Sequence, residues 1–580
     1  MPKPSVPLSW LLATALSAFA AAPVQATPAG TLPAASLAST ATPRIGKIQI
    51  PGDPRFVAIA RDVLLVQAAY TPDFASQSGL VDDALRLPSF APQHVAALTK
   101  RLRADMAQLR ALPWRHWPVD QQIDLRWVYA NAERMDRELN VERLYLHRPG
   151  AWLETTANSY LAILTYAPDR SDALGIIAGQ IPDLVREMSA LCQPTQVDAE
   201  VAQGLLEGMI AMLKARPVPQ GDAAIAALAA YRHQLANGKF AQSYAVVGAE
   251  NYAWRLQHAS LLPWDPAALL ALAEQKLATA DAEMARLKPQ LPPPGPLSPE
   301  LKQQAAALDQ AAVLALHDQI QVQNLAAIQS AGFVTVPPGV GPVRARVTPD
   351  AMVPLTGDGG SMNPPPPFID DKVGWWNIGH FNPAMPQEER ERNVRGLALF
   401  RETGMGPYAV HEGVPGHHLQ LSIARLNPNP LRNLFQDAVQ NEGWALYAEQ
   451  EMWEQGGLGN SLAAQYNVLR SDRFRIRRVV YDVNVETGKW TLQQGADWKD
   501  EAQPGKGELD PEIKRSVNWP AQLICYFAGK QQILALKAEY KKKMGAQYSE
   551  RRFNDELLAM GSIPYVFARA KMLGEPVPGF

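Results

Sequence analysis

Cysteine is almost absent from this sequence of 580 residues, which contains only Cys192 and Cys525. The two residues are far apart in the sequence. They could form one disulfide bond, but two buried thiols are the preferred interpretation. A metal site built from cysteines is therefore excluded. No cysteine follows the apolar stretch at the N-terminus, so we expect no anchor of the lipoprotein type.

An excess of charge of either sign is also missing. The chain has 55 basic and 57 acidic residues, with a formal net charge of −2. Nucleic-acid-binding proteins and proteins of anionic membrane surfaces usually carry a basic excess. The sequence therefore predicts no nucleic-acid partner.

A long apolar run is missing as well. The apolar stretch at about 8–22 is too short and too rich in alanine for a membrane span. With a lysine before it and small residues after it, it is typical of a secretory signal peptide. We expect residues 1–26 to be cleaved near Ala26, leaving a periplasmic or secreted protein without stable membrane insertion; an uncleaved anchor is the alternative. Residues 27–52 are small, polar and spaced by prolines, which predicts a flexible tether.

Strand patterns are scarce, whereas helical periodicity is common. Apolar residues recur three and four positions apart in residues 94–112, 119–139 and 198–215. This periodicity predicts an all-α fold with few short strands, and we expect its helices to enclose a deep cleft.

Two proline-rich segments, 289–300 and 355–371, interrupt the helical pattern. They suggest an N-terminal helical region at 53–354 and a C-terminal helical region at 372–580. We expect the two regions to form one composite domain, with the chemistry in the second.

The chemically informative stretch is 411–420, which reads HEGVPGHHLQ. Two histidines four positions apart on a helix can bind one zinc ion, with the glutamate after the first as general base. Here the fourth residue after His411 is Pro415. On an unbroken helix His418 would lie about 10.5 Å further along the axis. That is too far for two nitrogens that must each lie about 2.0–2.1 Å from one ion.

Pro415 and Gly416 are expected to interrupt this helix. Proline removes a backbone donor, and glycine permits backbone angles that other residues avoid. If two residues loop out, His417 takes the position of the second ligand, and if three loop out, His418 takes it. Spacing alone leaves both histidines open.

A third ligand is expected from the following segment, 431–455, whose pattern is strongly helical. Glu442 lies there among aromatic and aliphatic residues. A carboxylate in so apolar a neighbourhood needs a partner, and a metal ion supplies one. Glu449, two turns further on, is expected to support one of the ligands.

The clustering of these residues predicts a zinc site. Three of the ten histidines lie within 411–418, beside Glu412 and upstream of Glu442. One alternative is a histidine-rich helix break packed under aromatic residues. Another is a metal ion that only joins two helices, but a purely structural site has no need of Glu412.

The motif HEGVPGHHLQ, followed downstream by EGWALYAE, resembles the bacterial family known as domain of unknown function 885. Similar stretches continue at 477–485, 518–536 and 553–572, so the resemblance extends roughly over 388–575. It implies a mostly helical protein related to zinc peptidases that have a lengthened H-E-x-x-H motif.

The resemblance also implies the roles of individual residues. His411 and His417 would be ligands of one Zn²⁺ ion, with Glu442 as the third ligand and Glu412 as the general base. His417 is favoured over His418 because the position after the second ligand varies in the family. His418 is then expected to support a ligand or to bind a developing oxyanion.

Further matches suggest substrate contacts. Arg478 and Asp482 correspond to an Arg-x-x-x-Asp step of the family, and Tyr526 is expected to donate a hydrogen bond to an oxyanion. Glu486 stands where many members have histidine, so we expect a different substrate preference. The alternatives are an Arg–Asp pair within a helix and a core tyrosine.

The expected function is therefore that of an exported zinc metallopeptidase acting on short peptides. A zinc hydrolase of non-peptide amides or esters is the first alternative, since the same water chemistry serves both. A non-catalytic periplasmic binding protein with a vestigial metal site is the second. The sequence leaves the oligomeric state open.

Overall fold

The computed structural model describes residues 44–499 and 511–580. The predicted signal peptide, 1–26, lies outside these residues. Within them helices dominate, and one sheet of three short strands is present, so the predicted all-α class is confirmed.

The helices before the sheet include the three predicted from periodicity, which form α3, α4 and α7. Their order along the chain is α1 Pro54–Tyr70, α2 Asp73–Gln77, α3 Pro92–Ala111, α4 Val119–Arg137, α5 Pro149–Tyr166, α6 Ser171–Leu191, α7 Gln196–Ala215, α8 Gly221–Asn237, α9 Ala249–Trp254, α10 Pro266–Leu287, α11 Pro299–Ala306 and α12 Gln310–Ala331. Proline at the first helical position and an N-cap side chain set several of these starts, as Ser298 does for α11.

The sheet follows α12. Its strands are β1 Val343–Val347, β2 Ser361–Asn363 and β3 Gly374–Ile378, with the short helix α13, Val353–Thr356, between β1 and β2. The spatial order is β1-β3-β2, with β1 parallel and β2 antiparallel to the central β3. One face of β3 therefore carries Trp376, and the opposite face carries Trp375 and Asn377.

The remaining helices carry the motif residues. They are α14 Gln387–Ala398, α15 Met405–Glu412, α16 His417–Arg425, α17 Leu431–Leu434, α18 Ala438–Glu454, α19 Leu462–Glu486, α20 Leu492–Lys499, α21 Pro511–Asn518, α22 Cys525–Met544, α23 Glu550–Leu558 and α24 Tyr565–Leu573. The single helix expected over 431–455 is divided into α17 and α18, because the Asp437 carboxylate accepts hydrogen bonds from the first amides of α18.

The predicted tether is wrong for its last residues, 44–52. Ile45, Ile48 and Ile50 are buried, and the Arg61 side chain donates two hydrogen bonds to the Ile48 carbonyl oxygen at 3.1 and 2.8 Å. Burying one isoleucine contributes roughly 1.5–3 kcal/mol to stability. This contribution holds the segment in place, although its small, polar and proline-rich composition favours a flexible chain.

Most buried apolar side chains from both expected regions form one continuous cluster, from Ile45 to Met572, and a smaller second cluster includes Val197 and Tyr481. Both cysteines are free thiols, with Cys525 buried and Cys192 half-buried. In the described part of the chain, no helix is long and apolar enough to cross a membrane.

The crossing of α18 and α22 is set by two glycines. A Cβ atom at Gly443 would overlap the Cα atom of Gly529, and a Cβ atom at Gly529 would overlap the Val439 carbonyl oxygen. The two helix backbones therefore touch. This contact joins α18, which carries Glu442, to α22, which carries Tyr526.

We expect Gly443→Ala to lower the free energy of unfolding by about 1–3 kcal/mol, because the added methyl group forces the two helices apart. Gly396→Ala is the control. It also lies in a helix, but no atom lies within 4 Å of the position that its methyl group would take, so it should raise stability by up to about 1 kcal/mol. Denaturant unfolding measures both, and equal effects would contradict the glycine contact.

Candidate metal centre

The helix interruption expected at 413–416 separates α15 from α16. The Gly416 amide donates to the Val410 carbonyl oxygen at 3.0 Å, and a Cβ atom at Gly416 would overlap the carbonyl oxygens of Val410 and His411. Only glycine fits where the chain turns back over the end of α15. His417 is the first residue of α16, and its ring lies 4.8 Å from that of His411, centroid to centroid.

Gln321 on α12 holds this turn. Its Nε2 donates to the Ala409 carbonyl oxygen at 3.1 Å, and its Oε1 accepts from the Val414 amide at 3.0 Å. Its side chain is 4% exposed, and a Cβ atom at Gly413 would overlap its amide group. Sequence analysis did not identify Gln321, because its partners are backbone groups far away in the chain.

Three side chains meet at the end of this turn. The Nε2 atoms of His411 and His417 lie 3.4 and 3.2 Å from the same carboxylate oxygen, Oε2 of Glu442. One ligand atom from each residue lies within 4.8 Å of the others. The structure thus brings together the three residues that were expected to bind zinc.

The second nitrogen of the His411 ring is held by Glu449. His411 Nδ1 lies 2.8 Å from Glu449 Oε1, so an Nδ1–H tautomer would donate there and leave Nε2 with a free lone pair. Burial would raise the pKa of Glu449. The Arg475 guanidinium, 3.7 Å from Glu449 Oε1, and the His411 ring outweigh this effect and hold the pKa below its usual range. Glu449 therefore supports a ligand from behind, as expected for metal-binding histidines.

The pKa values of the two glutamates of the cluster, Glu442 and Glu412, are shifted in opposite directions. Burial alone would raise the pKa of Glu442, but the imidazoles of His417 and His411 hold it well below its usual range. Glu412 is 3% exposed, and burial raises its pKa to about 8, with Glu442 adding to the rise and His417 opposing it. Tyr408, one turn earlier on α15, is close enough for Glu412 to contribute to raising the pKa of its phenol.

His418 is not brought to this cluster. It is buried, and its Nε2 lies 2.9 Å from the Gly341 carbonyl oxygen. Its Nδ1 faces Gly374 of β3, where a Cβ atom would overlap the ring. Burial lowers the pKa of His418 to about 4. This placement of His418 differs from the expected oxyanion role. Consecutive residues at the start of a helix point in different directions, and His418 points towards the sheet.

Tyr526 is brought to the cluster. Its ring stacks on that of His411 with centroids 6.0 Å apart, and its hydroxyl accepts a hydrogen bond from Gln522 at 3.4 Å. Arg478 lies over the Tyr526 ring, 4.7 Å from its centroid, and donates to Glu512 at 2.8 Å. The Arg478 guanidinium is thus committed to partners within the chain.

Asp482 and Glu486, which were expected to contact substrate, are buried on α19 and hydrogen-bonded within the chain. Asp482 accepts from the Tyr252 hydroxyl at 2.6 Å and from the Ala521 amide at 3.1 Å. Glu486 accepts from the Tyr244 hydroxyl at 2.8 Å. Burial and the neighbouring Glu486 raise the pKa of Asp482. These contacts join α19 to α9, to the segment before α9 and to the segment before α22. A role of the two carboxylates in substrate binding stays a prediction.

A pocket has Tyr408, one helical turn before Glu412, in its wall. Its volume is about 290 Å³, and it is lined mainly by apolar and aromatic side chains, Trp376 among them. Tyr408 was missed from the sequence, although its position four residues before Glu412 on one helix is a signal that could have identified it.

Fold and cluster together define a mostly helical protein with a His–His–Glu site across an interrupted helix. The chain belongs to the family described as "Bacterial protein of unknown function (DUF885)", whose model matches residues 72–572. The family resemblance expected from the two motifs is confirmed.

Two solved structures are similar in fold. A putative lipoprotein of unknown function from Shewanella oneidensis is 18% identical, with a TM-score of 0.68, over 89% of this chain and 99% of that chain. The putative lipoprotein from Colwellia psychrerythraea is 17% identical, with a TM-score of 0.66, over 90% of this chain and 99% of that chain. No curated protein matches the sequence.

We expect Gln321→Leu to lower the free energy of unfolding by about 1–3 kcal/mol, because it leaves the buried Val414 amide without its acceptor. Gln319→Leu, at an exposed position of the same helix, should change stability by at most about 0.5 kcal/mol. Denaturant unfolding of both variants measures the difference. If the two variants behave alike, Gln321 does not hold the turn.

Proposed function

We propose that this protein is a zinc-dependent hydrolase that cleaves amide bonds in short peptides. The observation that supports the proposal is the convergence of His411 Nε2 and His417 Nε2 on Glu442 Oε2, with Glu412 buried beside them. No other group of His, Cys, Asp and Glu side chains with metal-site geometry occurs in residues 44–499 and 511–580.

The residues present fit a zinc ion. Two imidazole nitrogens and one carboxylate oxygen form the donor set of many catalytic zinc sites, which keep a fourth position for water or substrate. Glu442 Oε2 is buried and has no hydrogen-bond partner within the described residues, which is costly for a carboxylate unless a cation compensates it. The hydrogen bond from His411 Nδ1 to Glu449 would keep Nε2 available for the metal.

The protein side chains then take distinct roles. A bound zinc ion would polarise the scissile carbonyl and lower the pKa of the water bound to it. Glu412 would accept the proton of the attacking water and pass it to the leaving amine. Tyr526 would donate a hydrogen bond from its hydroxyl to the oxygen that becomes negative, because its ring lies against His411.

We also propose that the protein is exported, to the periplasm or the medium. The apolar stretch and small residues within 1–26 have the pattern of a cleavable signal. The two proteins of similar fold are described as lipoproteins, a class that is exported.

Metal analysis tests the ligand set. The purified protein should hold about one zinc ion per chain, and His411→Ala, His417→Ala and Glu442→Ala should each lose it, because three protein ligands are needed. His418→Gln should keep the metal, because the His418 ring faces Gly341. Elemental analysis measures the zinc. Loss of zinc from the His418 variant with retention in the His417 variant would show that the ligand set is wrong.

Peptide hydrolysis tests the catalytic role of Glu412. Glu412→Gln should retain zinc but lose at least about 10²-fold in kcat/KM, because the amide cannot accept the proton of water. Glu402→Gln, at an exposed position before α15, should keep full activity. The assay digests a library of short peptides alongside a panel of esters. Cleavage of esters alone would reject the peptide assignment, and no hydrolysis by the zinc-loaded protein would reject the enzyme.

A further inference from the structure

The pocket that has Tyr408 in its wall is built from four elements of the fold. It is lined by apolar side chains from each of them, Val313 on α12, Trp376 on β3, Leu397 on α14 and Met405 on α15. Its volume of about 290 Å³ is near the lower end of the range of roughly 300–1,000 Å³ that ligand pockets occupy. The pocket therefore has room for one or two side chains of a ligand.

One face of α12 runs from this pocket to the turn at the candidate centre. Val313, His317 and Gln321 follow each other at intervals of four residues, so their side chains lie on one face of the helix. Val313 and His317 line the pocket. Gln321 binds the Ala409 carbonyl oxygen and the Val414 amide at the turn. The pocket wall on α12 and the residue that holds the turn are thus one helical turn apart, a rise of about 5.4 Å.

Two more elements connect the pocket to the centre. On α15, Tyr408 lines the pocket, and Glu412 follows it by one helical turn on the same face. On β3, Gly374 and Trp376 share one face, because side chains alternate along a strand. Trp376 lines the pocket, whereas Gly374 lies against the ring of His418. Since an extended peptide advances about 3.3–3.4 Å per residue, one or two residues of a substrate span the interval from Glu412 to the pocket.

The pocket favours an uncharged side chain. His317 Nδ1 lies 2.8 Å from the Val313 carbonyl oxygen, and burial lowers the pKa of His317 to about 4, so its ring is neutral near pH 7. Asp358 supplies the one carboxylate among the lining residues that the structure describes, and its Oδ1 lies 2.7 Å from His380 Nδ1. A charged group would lose its water there without gaining a free counter-ion, whereas an apolar side chain is stabilised by burial.

We propose that this pocket binds a large apolar or aromatic side chain of the substrate, beside the amide bond that is cut. The assignment to a substrate rests on the proposed peptidase function and adds the class of residue that the enzyme selects. Trp376 and Tyr408, whose ring centroids are 5.7 Å apart, would form the wall against which that side chain packs. A peptide with alanine at this position would bind more weakly, because it buries less apolar surface.

Calorimetric binding to the full chain tests this inference in a Glu412→Gln background, where peptides are not cut. The probes are the C-terminal amides of N-acetyl-Ala-Phe-Ala, N-acetyl-Ala-Ala-Ala and N-acetyl-Ala-Lys-Ala. The phenylalanine peptide should bind at least about tenfold more tightly than the other two. Adding Val313→Trp, which fills the pocket, should remove this preference and leave binding of the alanine peptide unchanged. Ala315→Trp, at an exposed position of the same helix, is the matched control and should change neither.

Val313→Ala is a second test, because it enlarges the pocket and adds no bulk that could prevent folding. It should raise the affinity for the amide of N-acetyl-Ala-Trp-Ala, relative to that for the phenylalanine peptide, by about threefold or more. An unchanged ratio of these two affinities would overturn the inference. Equal binding of the phenylalanine and alanine peptides, a preference that survives Val313→Trp, or an equal loss in Ala315→Trp would each overturn it as well.

The positions of cleavage separate this inference from the proposed function. In a digest of a peptide library by the zinc-loaded protein, the cut bonds should lie beside large apolar residues, and Val313→Trp should remove this preference. Cleavage without regard to the neighbouring residues would overturn the inference and keep the peptidase. Calorimetry measures binding and not hydrolysis, so a preference that depends on Val313 in a protein that cleaves nothing would reject only the proposed reaction.

Discussion

The turn between α15 and α16 is the feature on which the candidate centre depends. A continuous helix would separate the two histidines along its axis, whereas Gly416 lets the chain fold back against the carbonyl oxygens at the end of α15. Gln321 then binds backbone groups on both sides of the break. His417 returns to His411 because the backbone, and not a side-chain rotamer, brings it there.

The second requirement is that several charges share a space with little water. His411, Glu442 and Glu449 are nearly buried, and the His411 ring lies between the two carboxylates. Arg475 lies behind Glu449, so a positive group from α19 faces the side of the cluster away from Glu442. Such a network is favourable only when every member has a partner. The carboxylate oxygen of Glu442 without a hydrogen bond is the position where a cation would complete it.

Much of the fold class and the site could be predicted from local pattern. Helical periodicity placed α3, α4 and α7, and the two motifs identified His411, Glu412 and Glu442 as neighbours of one site. The tether at 44–52 was wrong because its isoleucines stand among small and polar residues and become buried in the folded chain, where Arg61 of α1 holds the Ile48 carbonyl oxygen. Gln321 was missed because a glutamine that binds backbone groups leaves no trace in local sequence.

By itself the sequence determined the helical class, the family, and a short set of residues able to bind a metal, because these depend on periodicity and on residue chemistry at close spacing. It left His417 and His418 as alternatives. The tertiary structure shows that His417, and not His418, lies next to Glu442. His418 instead contacts Gly341 and β3, and these chain segments are remote from it in sequence.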